Sequence, residues 1–183
     1  MDKIKCNLPN ILTLLNMSLG VIAILLAVNP SEDINLLFTA SLLVMIAALT
    51  DRFDGKVARM LGTSSELGKE LDSLADLISF GVAPIIIAWK ISLIHLGILG
   101  YVFAVVFPLA GAYRLARYNV TTFDNFFRGL PITLAGAFLT IVNLFNWSAY
   151  VNNKITPSHS TFTAILIVLL SYLMVCKIKL KKI

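Results

Sequence analysis

Charge is what this sequence has least of. Asp, Glu, Lys and Arg make up 14% of its 183 residues, against about 25% in a typical soluble domain. Cysteine is nearly absent, and the two present, Cys6 and Cys176, stand at opposite ends of the chain. That excludes a disulfide framework and a cysteine-based metal cluster. Histidine is limited to His95 and His159. There is no internal repeat, no low-complexity tract and no long polar stretch, so residues 1–183 are expected to form a single domain with no soluble module.

What fills the sequence is hydrocarbon. Hydrophobic residues reach 58%, and they come in runs long enough for a bilayer, which takes about 20 apolar residues per helix. Six such stretches lie near 9–28, 34–60, 66–89, 96–118, 130–150 and 162–176. An all-α integral membrane protein with six transmembrane helices is the expectation. The first stretch follows Lys3 and Lys5 but is long for a signal peptide and ends in no A-x-A-like site, so it reads as a retained anchor. Asn29–Asp33, 61–65, 119–128 and 152–160 read as connecting turns, with Ser64 or Ser65 able to cap the third helix.

The net charge of +5 is not a nucleic-acid footprint, because of where it sits. With six spans both termini share a side, and of the 15 Lys and Arg only Lys90 and Lys154 fall on the other. Basic loops mark the cytoplasmic face, so both termini are expected there, in a cell membrane. The Lys-rich C-terminus reads as topology and headgroup contact.

Against this background four acids stand out at helix ends: Asp51, Asp54, Asp72 and Asp76. Ionisable groups at membrane depth cost about 2.5–3.5 kcal/mol at a helix centre and normally face a bundle interior. Asp51 and Asp54 are three apart, Asp72 and Asp76 four apart, so each pair shares a helix face. A tight turn between the two helices lets the pairs face one another. Four converging carboxylates repel unless something positive sits among them. A hard divalent cation, Mg²⁺, Mn²⁺ or Ca²⁺, suits all-oxygen ligands, and two pairs are the ligand supply for two adjacent ions. Zinc is poorly served, since both histidines are expected on the far side. Taken singly, Asp54-Gly55 is an ordinary turn dipeptide and Asp51 beside Arg52 an ordinary ion pair. Neither explains both acidic pairs with the intervening Gly55, Ala58, Arg59 and Gly68.

The full pattern is D-x2-D-G-x2-A-R-x8-G-x3-D-x3-D, carried by Asp51, Asp54, Gly55, Ala58, Arg59, Gly68, Asp72 and Asp76. It resembles the signature of the CDP-alcohol phosphotransferase family at every fixed position, and the six expected spans agree with that family's fold. The resemblance implies transfer of a phosphoalcohol group from a CDP-alcohol to a hydroxyl, with release of CMP, at the cytoplasmic side of the bundle. It implies that Asp51, Asp54, Asp72 and Asp76 hold two divalent cations, Mg or Mn with Ca as a possible occupant. Asp76 would also be the candidate general base. Gly55, Ala58, Arg59 and Gly68 would lie along the CDP. It implies a homodimer as well.

Further segments resemble the phosphatidylserine synthase branch: Arg114-Leu-Ala-Arg117-Tyr-Asn119, Phe127-Arg128-Gly129-Leu130-Pro131, and Pro9-Asn10-x-x-Thr13-x-x-Asn16. That branch implies CDP-diacylglycerol as donor, L-serine as acceptor and phosphatidylserine as product, with the acyl chains left among membrane lipids. Arg114, Arg117 and Arg128 could hold the serine carboxylate or the lipid phosphate, and Asn119 the ammonium; positive-inside topology also accounts for the arginines. Asn10, Thr13 and Asn16 share one stripe and could bond the cytidine or join helices. Two rivals remain. A sister enzyme using glycerol 3-phosphate or inositol phosphate should need more basic residues around its pocket. A divalent-metal transporter should carry polar residues through the whole membrane depth, whereas the outer halves of these helices read as apolar.

Overall fold

The computed structural model describes residues 2–31, 33–61, 65–120, 126–176 and 179–181; the side chains of 2–9, 54–61, 126–128 and 179–181 stand outside that description. Six helices dominate: α1 (Asp2–Ala27), α2 (Asn35–Leu61), α3 (Glu66–Ile91), α4 (Ile98–Val120), α5 (Ile132–Val151) and α6 (Pro157–Val175). Each is long and apolar enough to cross a membrane. In hydrocarbon every backbone polar group needs a partner within the protein, and a helix supplies one along its own length. The protein is thus a multi-pass, helical membrane protein, as the hydropathy pattern led one to expect.

Helix ends follow local chemistry. After α1 the chain turns at Asn29-Pro30, where Asn29 Oδ1 accepts from the Ser31 N–H at 2.9 Å. Asp33 Oδ1 accepts from the Asn35 N–H at 3.0 Å and starts α2. Ser65 caps α3 by accepting from the Gly68 N–H at 3.0 Å; Ser64, the other candidate cap, lies outside the described residues. The sixth helix corrects the sequence reading. An outer loop was expected to last to residue 160 and the span to start at 162, but α6 begins at Pro157. Thr156 and His159 form a reciprocal capping box there, and Pro157 occupies the first turn, where its missing N–H is no loss.

The expected polar loop over 119–128 is shorter than it reads. Asn119 and Val120 continue α4, and residues 126–128 form β1 (Phe126–Arg128), with 121–125 outside the described residues. β1 pairs antiparallel with β2 (Lys179–Lys181), Phe126 opposite Lys181 and Arg128 opposite Lys179. The Lys-rich tail is therefore not only a topology signal: its backbone is tied to the segment entering α5.

The core is built on α3, of which 56% is buried, against 28% for the spanning parts of α1 and α2. Lipid tails are as apolar as leucine, so helices in a membrane associate through close packing and polar contacts. Both are concentrated on a π-helical turn in α3, Leu77–Val82, whose Ser79, Phe80 and Gly81 are buried. A Cβ at Gly136 of α5 would stand 2.5 Å from the Phe80 carbonyl oxygen, and one at Gly20 of α1 2.8 Å from Ser79 Cα. Only glycine permits those approaches.

Toward the far end the bundle interior is not apolar, contrary to the sequence expectation. Thr140, Asn143 and Asn146 line one buried face of α5. Asn143 Nδ2 donates to the Pro84 carbonyl at 2.8 Å and Asn146 Nδ2 to Thr163 Oγ1 at 2.9 Å. Ser160 Oγ donates to the Ser92 carbonyl at 2.8 Å. Asn143, Asn146 and Ser160 are neutral and donate hydrogen bonds that join α3, α5 and α6, which distinguishes them from an ion path.

Candidate active site

Asp51 near the end of α2 and Asp72 and Asp76 on the first turns of α3 offer carboxylate oxygens that all lie within 4.8 Å of one another. The spacing expected from sequence is realised for these three. Asp54, Gly55, Ala58 and Arg59 continue α2, but their side chains lie outside the described residues. The Asp51 and Asp76 carboxyl groups approach one another directly, a proximity of like charges that a proton or a cation between them relieves. Asp76 Oδ1 is buried and receives no hydrogen bond.

Two more residues complete the cluster. Thr133, on the first turn of α5, directs Oγ1 at Asp51 Oδ2 across 3.5 Å. It escaped the sequence reading because one threonine in an apolar helix has no pattern to announce it. Arg114 of α4 is buried and interacts electrostatically with Asp76, its Nε left without a hydrogen bond. Three carboxylates drawn within 4.8 Å of one another, with no hydrogen bond to the buried Asp76 Oδ1, fit a divalent cation. His95 and His159 lie at the far end, in the 3₁₀ turn Leu93–Leu96 and in the first turn of α6.

The remaining candidates divide. On α1, Asn10 approaches the start of α3, where a Cβ on Gly68 would stand 3.1 Å from Asn10 Oδ1. Thr13 is buried. Asn16 is fully buried with both amide atoms unpaired, although its carbonyl accepts from Ser79 Oγ at 3.0 Å. Arg117 Nη1 donates to the Val175 carbonyl at the end of α6 at 2.8 Å, and its guanidinium lies over the Tyr113 ring. Asn119 is held by α3, its Nδ2 donating to Glu70 Oε1 at 3.2 Å and to Ser73 Oγ at 3.0 Å. Lys69 Nζ donates to the Asn119 carbonyl at 3.1 Å. Arg128 lies in β1, its side chain outside the described residues.

Residues 6–178 match the family model of CDP-alcohol phosphatidyltransferase. The chain belongs to the CDP-alcohol phosphatidyltransferase family. Among its relatives is a Bacillus subtilis (strain 168) protein named CDP-diacylglycerol–serine O-phosphatidyltransferase, 35% identical over 179 residues that cover 94% of this chain and 88% of that one. A Methanocaldococcus jannaschii protein of the same name is 35% identical over 170 residues, covering 93% of this chain and 71% of that one. An archaetidylserine synthase from Methanothermobacter thermautotrophicus is 38% identical over 131 residues, covering 70% and 54%. As a CDP-alcohol phosphatidyltransferase the chain is an enzyme, and its carboxylate cluster occupies the spacing that first drew attention in the sequence.

Proposed function

We propose that this enzyme is a CDP-diacylglycerol–serine O-phosphatidyltransferase, with L-serine as acceptor and phosphatidylserine and CMP as products. The observation that carries the chemistry is the cluster of Asp51, Asp72 and Asp76 within 4.8 Å, faced by Arg114. The choice of serine is supported by the names of relatives that span nearly the whole chain.

In this reading Asp51, Asp72 and Asp76, with Asp54 by resemblance, hold divalent cations, Mg²⁺ or Mn²⁺. When bound, such ions supply charge neutralisation on the donor pyrophosphate and the departing CMP. The serine oxygen bonds to the phosphorus bearing diacylglycerol, and the bond from that phosphorus to the bridging oxygen breaks, so the electron pair leaves with CMP. The hydroxyl proton passes to Asp76. Asp76 belongs to the carboxylate cluster and its Oδ1 receives no hydrogen bond, which supports that side chain as the proton acceptor. Arg114, buried beside Asp76, supplies a fixed cation for the lipid phosphate or the serine carboxylate. Asn16 offers an unpaired amide to the cytidine. The basic residues gathered at this end support a cytoplasmic side for the termini and the site, in a cell membrane. The acyl chains stay in the bilayer, and the enzyme works as a homodimer.

The test is CMP release by purified protein with CDP-diacylglycerol, Mg²⁺ or Mn²⁺, and one alcohol at a time. Serine-dependent release is expected, and Asp72→Asn should lower it at least about 100-fold, the scale of losing a charge-stabilising group in a reaction centre. Release with glycerol 3-phosphate or inositol phosphate but not serine would overturn the acceptor while keeping the family.

A further inference from the structure

At the far end of the bundle the helix ends leave a cup of about 380 Å³, within the range of about 300–1,000 Å³ usual for small-molecule sites. Its floor is apolar, formed by Ala27 and Leu37, and its rim carries Asn29, Asp33, Lys90 and Tyr150. Asp33 and Lys90 are opposite charges lining one cavity, yet no hydrogen bond or ion pair joins them. Asp33 uses Oδ1 to start α2, and the Lys90 ammonium has no bonded partner among the described residues. Asn29 spends its side-chain oxygen on the Ser31 N–H, which leaves its amide NH₂ as a donor beside the Lys90 cation.

The depth of the cup indicates what reaches it. Trp and Tyr concentrate at the level of lipid headgroups, and this end is ringed by them. Trp89, next in sequence to Lys90, packs tilted against Tyr101 with ring centroids 5.3 Å apart. Trp147 packs on Phe38 at 4.6 Å and donates from Nε1 to the carbonyl of Ile34, another residue of the cup. Tyr150 lies on the rim itself. A site at that level with a separated cation and anion suits a ligand carrying both charges in one small group.

We propose that the cup binds the headgroup of a zwitterionic aminophospholipid from the leaflet opposite the carboxylates. Its phosphodiester lies against Lys90 and the Asn29 amide, and its ammonium against Asp33. The site is separate from the catalytic cluster and independent of which alcohol the enzyme uses.

The experiment is native mass spectrometry of protein released from nanodiscs containing equal phosphatidylethanolamine and phosphatidylglycerol. Wild type should retain phosphatidylethanolamine in preference. Lys90→Gln should lower that retention about five-fold, the value of one cation at headgroup level, and Lys90→Arg should keep it. Asp33→Asn, which can still cap α2, should abolish the preference for the ethanolamine lipid. Melting temperature in detergent serves as the control for folding, and CMP release should be unchanged in all three variants. Equal retention by wild type and a folded Lys90→Gln overturns the proposal. Stabilisation of wild type by free phosphoethanolamine or serine to the same degree as by the lipid overturns it too, since the site would then serve a soluble zwitterion.

Discussion

At the scale of single residues, Asn16 is fully buried with neither amide atom paired, whereas an asparagine that joins helices has its amide hydrogen-bonded to them. A buried polar group without a partner costs stability, so replacing it with an apolar side chain should be neutral or stabilising to the fold. Asn16→Leu is therefore expected to leave the melting temperature unchanged or raised while increasing KM for CDP-diacylglycerol by roughly ten-fold, the value of a neutral hydrogen bond or two. A melting temperature several degrees lower with KM unaltered would return Asn16 to the role of interhelical contact. Asp51, Asp72 and Asp76 were legible in the sequence because acids are costly at membrane depth and these fall at helical spacing. Arg114 was less so: in a chain whose basic residues collect on one side, nothing in the sequence separates the buried Arg114 beside Asp76 from Arg117, which donates to the last carbonyl of α6.

Among the elements, the helices were legible and their irregularities were not. The π-helical turn Leu77–Val82 lies within the apolar stretch of α3, where no residue pattern distinguishes it from α-helix. It is held by neighbours far away in sequence, Gly20 of α1 and Gly136 of α5. π-turns inside helices cluster at functional sites, and this one begins at the residue after Asp76. The extra residue in the turn shifts the phase of the helix, so the first part of α3 can aim Asp72 and Asp76 at Asp51 while the second part keeps its own buried face. Close approach at Gly136 is then a condition for the carboxylate geometry as well as for packing. Gly136→Val forces α5 away from the Phe80 carbonyl and should cost about 1–3 kcal/mol, as overpacking does elsewhere. Thermal unfolding should show the loss, and serine-dependent CMP release should fall with it at temperatures where the variant is still folded. A variant with wild-type stability and rate would mean that α3 and α5 stand further apart than the structure has them. The early start of α6 has a simpler cause: Thr156, Pro157 and His159 are polar or turn-forming, so they read as loop in the sequence, yet together they form a helix N-terminus.

For the molecule as a whole, alternation of six spans puts both termini, the carboxylates, Arg114 and the β1–β2 ribbon at one end, and Lys90 and the aromatic ring at the other. Which end faces the cytoplasm is a question of charge, since 13 of the 15 Lys and Arg belong to the carboxylate end and basic loops resist translocation. Two exposed positions report on it without touching the reaction centre: Leu67, 66% exposed at the start of α3, and Ser31, exposed on the far turn. Each is replaced by cysteine in a background with Cys6 and Cys176 changed to serine. A membrane-impermeant maleimide should label Ser31→Cys in intact cells and Leu67→Cys only in inside-out vesicles. The reverse pattern would turn the molecule over and put the reaction on the outer side. Labelling of both from the same side would contradict the even number of crossings on which the whole arrangement rests.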